Sequence, residues 1–356
     1  MPRAASVPPL IVLSSTAVLL LGACSSTAVA TVGASSTPAS SGPVQPLVVY
    51  SAQGYDSPVT AAFTKATGIP VKLDDDSTGP LLTKVQAEKN NPQWDVLWVD
   101  GDTAFAALDK QGMLAPYTPS ASLTAAGQAL QPSDHSYVPV STTVMAAAIC
   151  NAAQVSTMPT GYNDLLGAAF KGKVGMNDPS QSGPTYPFVA GMMAQLGGED
   201  QGKAFFTSLK ANGLQVFPTN GDTLHALETG QIACGLIQSS AATGELLHAT
   251  KTSTFDPKVV YLPKTTLLPG VIGIDKGAPA ALQAEAQKFV DFVLSPAGQQ
   301  AMQAGDATGD SLYWPIVTGV SALSSLPSVP DYQTIDPYTW GPKEGEINSW
   351  FDASIK

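Results

Sequence analysis

Five short stretches place hydroxyl, amide and glycine residues where the chain is expected to turn from a strand into a helix. They are Ser51-Ala52-Gln53-Gly54, Ser77-Thr78-Gly79, Ser180-Gln181-Ser182-Gly183, Thr219-Asn220-Gly221 and Ser239-Ser240. The first turn of a helix leaves N–H groups without partners and carries a partial positive charge. Several such turns converging on one point therefore bind an anion without a guanidinium group. Each stretch taken singly is explained by N-capping alone, worth about 1 kcal/mol. Their recurrence in both halves of the chain favours a ligand cleft.

Catalytic constellations do not emerge. His135, His225 and His248 are scattered, and none shares a metal-ligand spacing with another His or a Cys. Asp74 opens what resembles a calcium loop, but its twelfth position is Val85, where a bidentate glutamate is needed. No G-x-S-x-G and no P-loop occurs, and no paired acid and base can be placed. A binding protein without cofactor or metal is expected, not an enzyme.

The elements that would position these stretches follow from alternation of apolar runs and helix signals. Strands are predicted at 47–50, 71–75 and 95–99, with helices between them. Ser57-Pro58 is read as a helix start, Gly68 as its end, and Ser77 to Pro80 as the start of a helix reaching about Asn90. A third helix ends near Gly112. Residues 137–150 form a long extended stretch suited to crossing between lobes. A second α/β unit follows, with strands at 172–177, 214–218 and 232–238 and helices at 187–196, 200–211, 222–230 and from Ser239. VVYLP and VIGI return the chain to the first lobe, two helices fill about 280–304, and a C-terminal stretch finishes it. Strands and helices in alternation imply an open α/β sheet covered on both faces, with ligand at the carboxyl ends of the strands.

The N-terminus reads as a leader. Arg3 precedes an apolar run at 9–21, about 13 residues against the roughly 20 that a membrane span needs. Leu21-Gly22-Ala23-Cys24 resembles a bacterial lipobox, so Cys24 is the expected lipidation site, with residues 1–23 as signal peptide. Residues 24–46 continue as an uncharged Ser, Thr, Ala, Gly and Pro tether. The expected location is extracytoplasmic, lipid-anchored to the bacterial cell membrane. The net charge is −11, and Arg3 is the only arginine, which argues against nucleic acid as a partner. Cys150 and Cys234, on predicted strands of one lobe, form either a disulfide or two buried thiols.

Five blocks in order, VVYSAQGYDSPVTAAFTKATGIPVKL, STGPLLTKVQAEKNNPQWDVLWVDG, FKGKVGMNDPSQSGPTYPFVAGMM, FVDFVLSPAGQQAM and YWPIVTGV, resemble the bacterial periplasmic-binding-protein family. The similarity is to its ferric-ion-, phosphonate- and phosphosugar-binding branch. It implies a two-lobed α/β fold with crossing strands between the lobes. Lobe 1 is expected at 47–140 plus 263–356, lobe 2 at 141–262. It further implies a monomeric receptor that delivers a small-molecule solute to an ABC importer permease and touches membrane only through the Cys24 lipid.

The departures from the family's iron site are specific. Ser239-Ser240-Ala241 stands where ferric relatives carry paired tyrosines, and Gly54 falls near their histidine. Ferric iron, which wants phenolate, carboxylate or imidazole, is thereby disfavoured. The resemblance implies an oxyanion held by Ser77, Thr78 and Gly79 from one lobe and Ser180, Ser182, Gly183 and Thr185 from the other. Ser51, Gln53, Ser239 and Ser240 complete the expected ligand set. The expected solute is a phosphonate or a phosphate ester; Asp100, beside Trp98, is expected to meet a positive group, so that 2-aminoethylphosphonate satisfies both ends. A polyamine receptor using Asp100, Asp222, Trp98 and Trp314 is the alternative on the same fold.

Overall fold

The computed structural model describes residues 45–356; the predicted leader and Cys24 lie outside the described residues. The strands are β1 (Leu47–Ser51), β2 (Val71–Asp75), β3 (Val96–Asp100), β4 (Val138–Asn151), β5 (Val174–Asn177), β6 (Gln215–Phe217), β7 (Cys234–Ile237), β8 (Pro257–Ile274) and β9 (Tyr332–Gln333). Between β1 and β4 lie α1 (Asp56–Thr67), α2 (Thr78–Ala87), α3 (Asp102–Lys110) and α4 (Ala125–Leu130). The next unit carries α5 (Thr185–Leu196), α6 (Glu199–Ala211), α7 (Asn220–Glu228) and α8 (Ser239–His248). After β8 come α9 (Ala280–Leu294), α10 (Pro296–Gly305), α11 (Pro337–Trp340) and α12 (Glu344–Ser354).

One sheet runs β2-β1-β3-β8-β4-β7-β5-β6, with β9 beside β8. Two parallel trios, β2-β1-β3 and β7-β5-β6, lie at its ends, and the antiparallel pair β4 and β8 joins them. The amino-terminal half of β4 pairs with the stretch of β8 that borders β3. Its carboxyl-terminal half pairs β7. The β4–β8 register passes from Met145↔Thr266 to Ala147↔Tyr261, so residues 262–265 drop out of the ladder. These are the strands that cross between lobes. β8 is continuous where the sequence predicted two separate runs, because Pro263 falls in the skipped segment and removes no ladder bond there.

Strand alternation sets the cores. In β3, Val96 and Trp98 face the cluster of Val49, Tyr55, Phe63 and Phe289, whereas Leu97 and Val99 face that of Leu81, Trp94 and Phe105. The second lobe has its own cluster around Tyr162, Phe188, Phe206 and Leu209. Cys150 and Cys234 sit opposite each other in the β4–β7 register, both fully buried, and are joined by a disulfide.

Several boundaries differ from the sequence reading. α1 starts at Asp56, with Tyr55 rather than Ser57 as its cap residue, and Gly68 ends it at φ 74°, a conformation costly for any residue with a Cβ. α2 stops at Ala87, short of Asn90. α5 begins at Thr185, since Pro187 in a first turn forfeits no intrahelical bond.

The C-terminal stretch is helical and touches both lobes. Lys110 donates to the Tyr338 carbonyl at 2.6 Å, and the Tyr338 hydroxyl donates to Asp109 at 3.0 Å. Beyond Gly341, Ile347 and Phe351 of α12 enter the Phe206 cluster, and Lys343 pairs with Glu199. Gly341 is required by contact: a Cβ there would stand 2.1 Å from the Thr103 carbonyl oxygen.

Candidate ligand cleft

The carboxyl ends of both trios open onto one cavity of 170 Å³, lined from lobe 1 by Ala52, Ser77, Thr78, Asp100 and Asp310. From the other side come Ser182, Pro184, Thr219, Asn220, Gly221 and Gln238. A 1000 Å³ hollow around Lys84, Glu88 and Lys276 is built from lobe 1 alone, and a 690 Å³ hollow lies between α2, α3 and α12. The second also touches both lobes, through Gly79 and through Pro179, Ser180 and Gly183, but it contains neither Asp100 nor Gln238 nor the start of α7, which meet only in the 170 Å³ cavity.

Asp100, the last residue of β3, is 8% exposed and receives a bond from each lobe. Gln53 donates to one oxygen at 3.0 Å, and Gln238, following β7, donates to the other at 2.8 Å. Asp310 sits on the turn after α10. It accepts from the Gly54 amide at 2.7 Å and from the Ser240 hydroxyl at 3.4 Å. The turn is held by Asp306, which accepts from the Asp310 amide at 2.8 Å. No lysine, arginine or histidine lines the cavity. Burial accordingly raises both carboxyls, Asp100 to about 6 and Asp310 to about 7, and the charge of Asp100 pushes Asp310 further in the same direction.

Neutral donors complete the lining. Asn177, fully buried at the end of β5, donates to Ser182 at 3.3 Å and to the Asn220 side-chain oxygen at 2.6 Å, and accepts from Thr223 at 2.6 Å. These bonds occupy the acceptors of Ser182 and Asn220 and leave the Ser182 O–H and the Asn220 NH₂ as donors. At the starts of α2 and α7 the backbone N–H groups of Thr78, Asn220 and Gly221 find no acceptor among the described residues. Thr219 is committed to a capping box, its hydroxyl donating to Asp222 at 2.7 Å. That places Asp222 at a helix start as a cap.

The expected residues divide accordingly. Ser77, Thr78, Asp100 and Ser182 line the cavity, while Gln53 and Ser240 touch it through the carboxylates they bond. Gly79 and Gly183 form the contact between lobes. The Gly79 amide donates to the Gln181 carbonyl at 3.1 Å, and a Cβ on Gly183 would lie 2.3 Å from the Thr78 methyl. Ser51 is buried beneath the loop and accepts from the Gln53 amide. The Ser239 hydroxyl accepts from Val144, and Ser180 turns outward to Asp352 at 3.0 Å. Thr185 is fully buried without a hydroxyl partner. Trp98 and Trp314 pack in cores, against Tyr55 and Tyr261. Asp310, Gln238 and Asn177 were not anticipated.

Comparison with known proteins follows this geometry. The family model for bacterial extracellular solute-binding proteins matches residues 59–334. A putative 2-aminoethylphosphonate-binding periplasmic protein of Salmonella paratyphi A is 28% identical over 241 residues, 67% of this chain and 68% of the relative. Among solved structures, AfuA of Actinobacillus pleuropneumoniae with bound fructose-6-phosphate superposes with a TM-score of 0.75 at 22% identity, covering 87% of this chain and 98% of that one. Iron-bound HitA from Pseudomonas aeruginosa gives 0.70 at 22% identity, covering 87% and 99%.

Proposed function

The chain belongs to the bacterial extracellular solute-binding protein family, the binding components of ABC importers, and from that premise we propose that its solute is a small oxyanion such as 2-aminoethylphosphonate. One observation carries this reading. A single cavity between the lobes sets the buried carboxylate of Asp100 among neutral hydroxyl, amide and backbone donors from the starts of α2, α5 and α7. The donors suit the phosphonate oxygens, and Asp100 suits the amine.

The chemistry follows from charge and space. Helix-start N–H groups and the Ser182 hydroxyl stabilise negative oxygen without a fixed cation. A cavity of 170 Å³ has room for a small oxyanion. The lining offers two carboxylates but neither phenolate nor imidazole, so it does not favour ferric iron.

We read the chain as a monomeric receptor without enzymatic activity, held outside the cytoplasm by a lipid on Cys24 and closing its two lobes around the solute, one built on 47–140 and the chain from 263 to α11, the other on 141–262 with α12 packed on its core. The relative of Salmonella paratyphi A, a putative 2-aminoethylphosphonate-binding periplasmic protein, supports the solute class. Isothermal titration of the unliganded protein with 2-aminoethylphosphonate, inorganic phosphate and fructose-6-phosphate tests it. Saturable binding of the phosphonate, weakened about tenfold or more in Ser182→Ala by loss of a hydrogen bond to a charged group, is the expected result. Heat only from the sugar phosphate, or from none of the three, would reject the solute class.

A further inference from the structure

We propose that Asp310 is the specificity-determining residue of this cleft: with Asp100 it forms an ammonium-binding end that selects amine-bearing oxyanions over amine-free ones. The inference rests on the phosphonate reading and deepens it. It starts from two carboxylates on one small cavity whose lining contains no cationic side chain. Every protein group that bonds them is neutral: the amides of Gln53 and Gln238, the Gly54 N–H and the Ser240 hydroxyl. Such donors orient a carboxylate but do not cancel its charge. Two like charges on one small cavity with no cation in its lining are disfavoured, and a shared proton or a bound cation relieves them. A ligand ammonium group is a cation of the right size, and it can bond both carboxylates at once because it carries three donors.

The placement of Asp310 also ties amine recognition to closure. Its turn lies on lobe 1, yet one of its oxygens accepts from Ser240 at the start of α8 in lobe 2. The same contact region brings Gly244 of α8 against the turn: a Cβ there would sit 1.8 Å from the Thr308 carbonyl oxygen. Asp310 therefore reaches its full set of partners only when the lobes meet. An amine-bearing solute would be gripped by a carboxylate whose last partner, Ser240, arrives on closure, and an amine-free solute would close the lobes onto an uncompensated charge.

The test compares 2-aminoethylphosphonate with n-propylphosphonate, which replaces the ammonium by a methyl group, on wild type and Asp310→Asn. The expected result is a wild-type preference for the amine of about a hundredfold, falling by at least about tenfold in Asp310→Asn, mainly through weaker binding of the amine. A second measurement on wild type alone covers a variant that fails to fold. Titration near pH 6 in buffers of different ionisation enthalpy should show more proton release on binding the amine than on binding n-propylphosphonate. Equal affinity of wild type for the two phosphonates would overturn the inference and leave the phosphonate reading standing. The same holds for an unchanged preference in a folded Asp310→Asn, or for equal proton release. Binding of neither phosphonate to wild type would overturn both.

Discussion

Replacing Gly79 by alanine should separate closure from folding. Gly79 lies in the first turn of α2 directly before Pro80, where a Cβ meets the proline ring and offsets the propensity that alanine adds, so the substitution leaves the helix itself near neutral. Across the cleft the situation differs. A Cβ at this position would stand 2.2 Å from the Ser180 carbonyl oxygen, a backbone atom that no rotamer change can move aside. The lobes must then stop short by close to an ångström, which stretches the Gly79–Gln181 hydrogen bond of 3.1 Å. Overpacking of this kind costs about 1–3 kcal/mol, which acts only on the closed, ligand-gripping state and so weakens binding roughly five- to 150-fold. Isothermal titration with 2-aminoethylphosphonate, paired with small-angle scattering with and without ligand, reads both parts. The variant should melt no lower than wild type without ligand, bind more weakly, and compact less on binding. Wild-type affinity together with wild-type compaction would refute the view that this glycine seam limits closure.

Two further perturbations follow from the same structure. Asp100 has a carboxyl raised to about 6 by burial, so the folded protein holds a proton that the unfolded chain releases near pH 4. Its contribution to stability is therefore harmless at low pH and turns unfavourable as pH rises from about 4 to 6. Asp100→Asn should gain up to about 3 kcal/mol at pH 8, less the amide bond it can no longer accept, and gain little at pH 4. Urea unfolding at both pH values checks this, and a variant no more stable at pH 8 than wild type would contradict it. The Cys150–Cys234 bond spans 84 residues and encloses β5 to α7, so the loop-entropy account assigns it about 4.5 kcal/mol against the reduced unfolded chain. The double variant Cys150→Ala, Cys234→Ala should lose a comparable amount in the unfolding of that lobe, whereas a loss under about 1 kcal/mol would show that the β4–β7 pairing alone suffices.

What the sequence could show depended on whether a feature was local. The strand ends and helix starts were legible because capping residues, glycines and apolar alternation act over a few positions. Asp100 stood out as the polar end of an otherwise apolar β3. Direction was harder to read. Ser180 and Ser182 share one loop, yet Ser180 turns out to Asp352 while Ser182 turns in, since Asn177 anchors only the latter. Asp310 lay outside every such pattern. It follows a helix rather than a strand and meets Gly54 across 256 residues of chain, a contact made by tertiary packing alone. The acidic turn Asp306-Ala307-Thr308-Gly309-Asp310 just before the Tyr313 block was the one available signal. Gln238 and Asn177 look in sequence like ordinary last residues of strands, and their roles appear only once α7 lies between them. The C-terminal helices were missed because their apolar positions, Ile347, Phe351 and Ile355, serve a lobe distant in sequence.

The C-terminal segment has a mechanical consequence. Two neighbouring strands alone make a ribbon that both bends and twists. Here α11 and the turn at Gly341 are seated on α3, while α12 is seated on the Phe206 cluster, so the lobes are joined a third time, in the helix layer rather than in the sheet. That third attachment resists twisting of one lobe against the other about the two-strand ribbon. With twist resisted, any closing of the lobes about the solute is expected to run along one coordinate, so that a transport partner would meet a small set of shapes instead of a continuum.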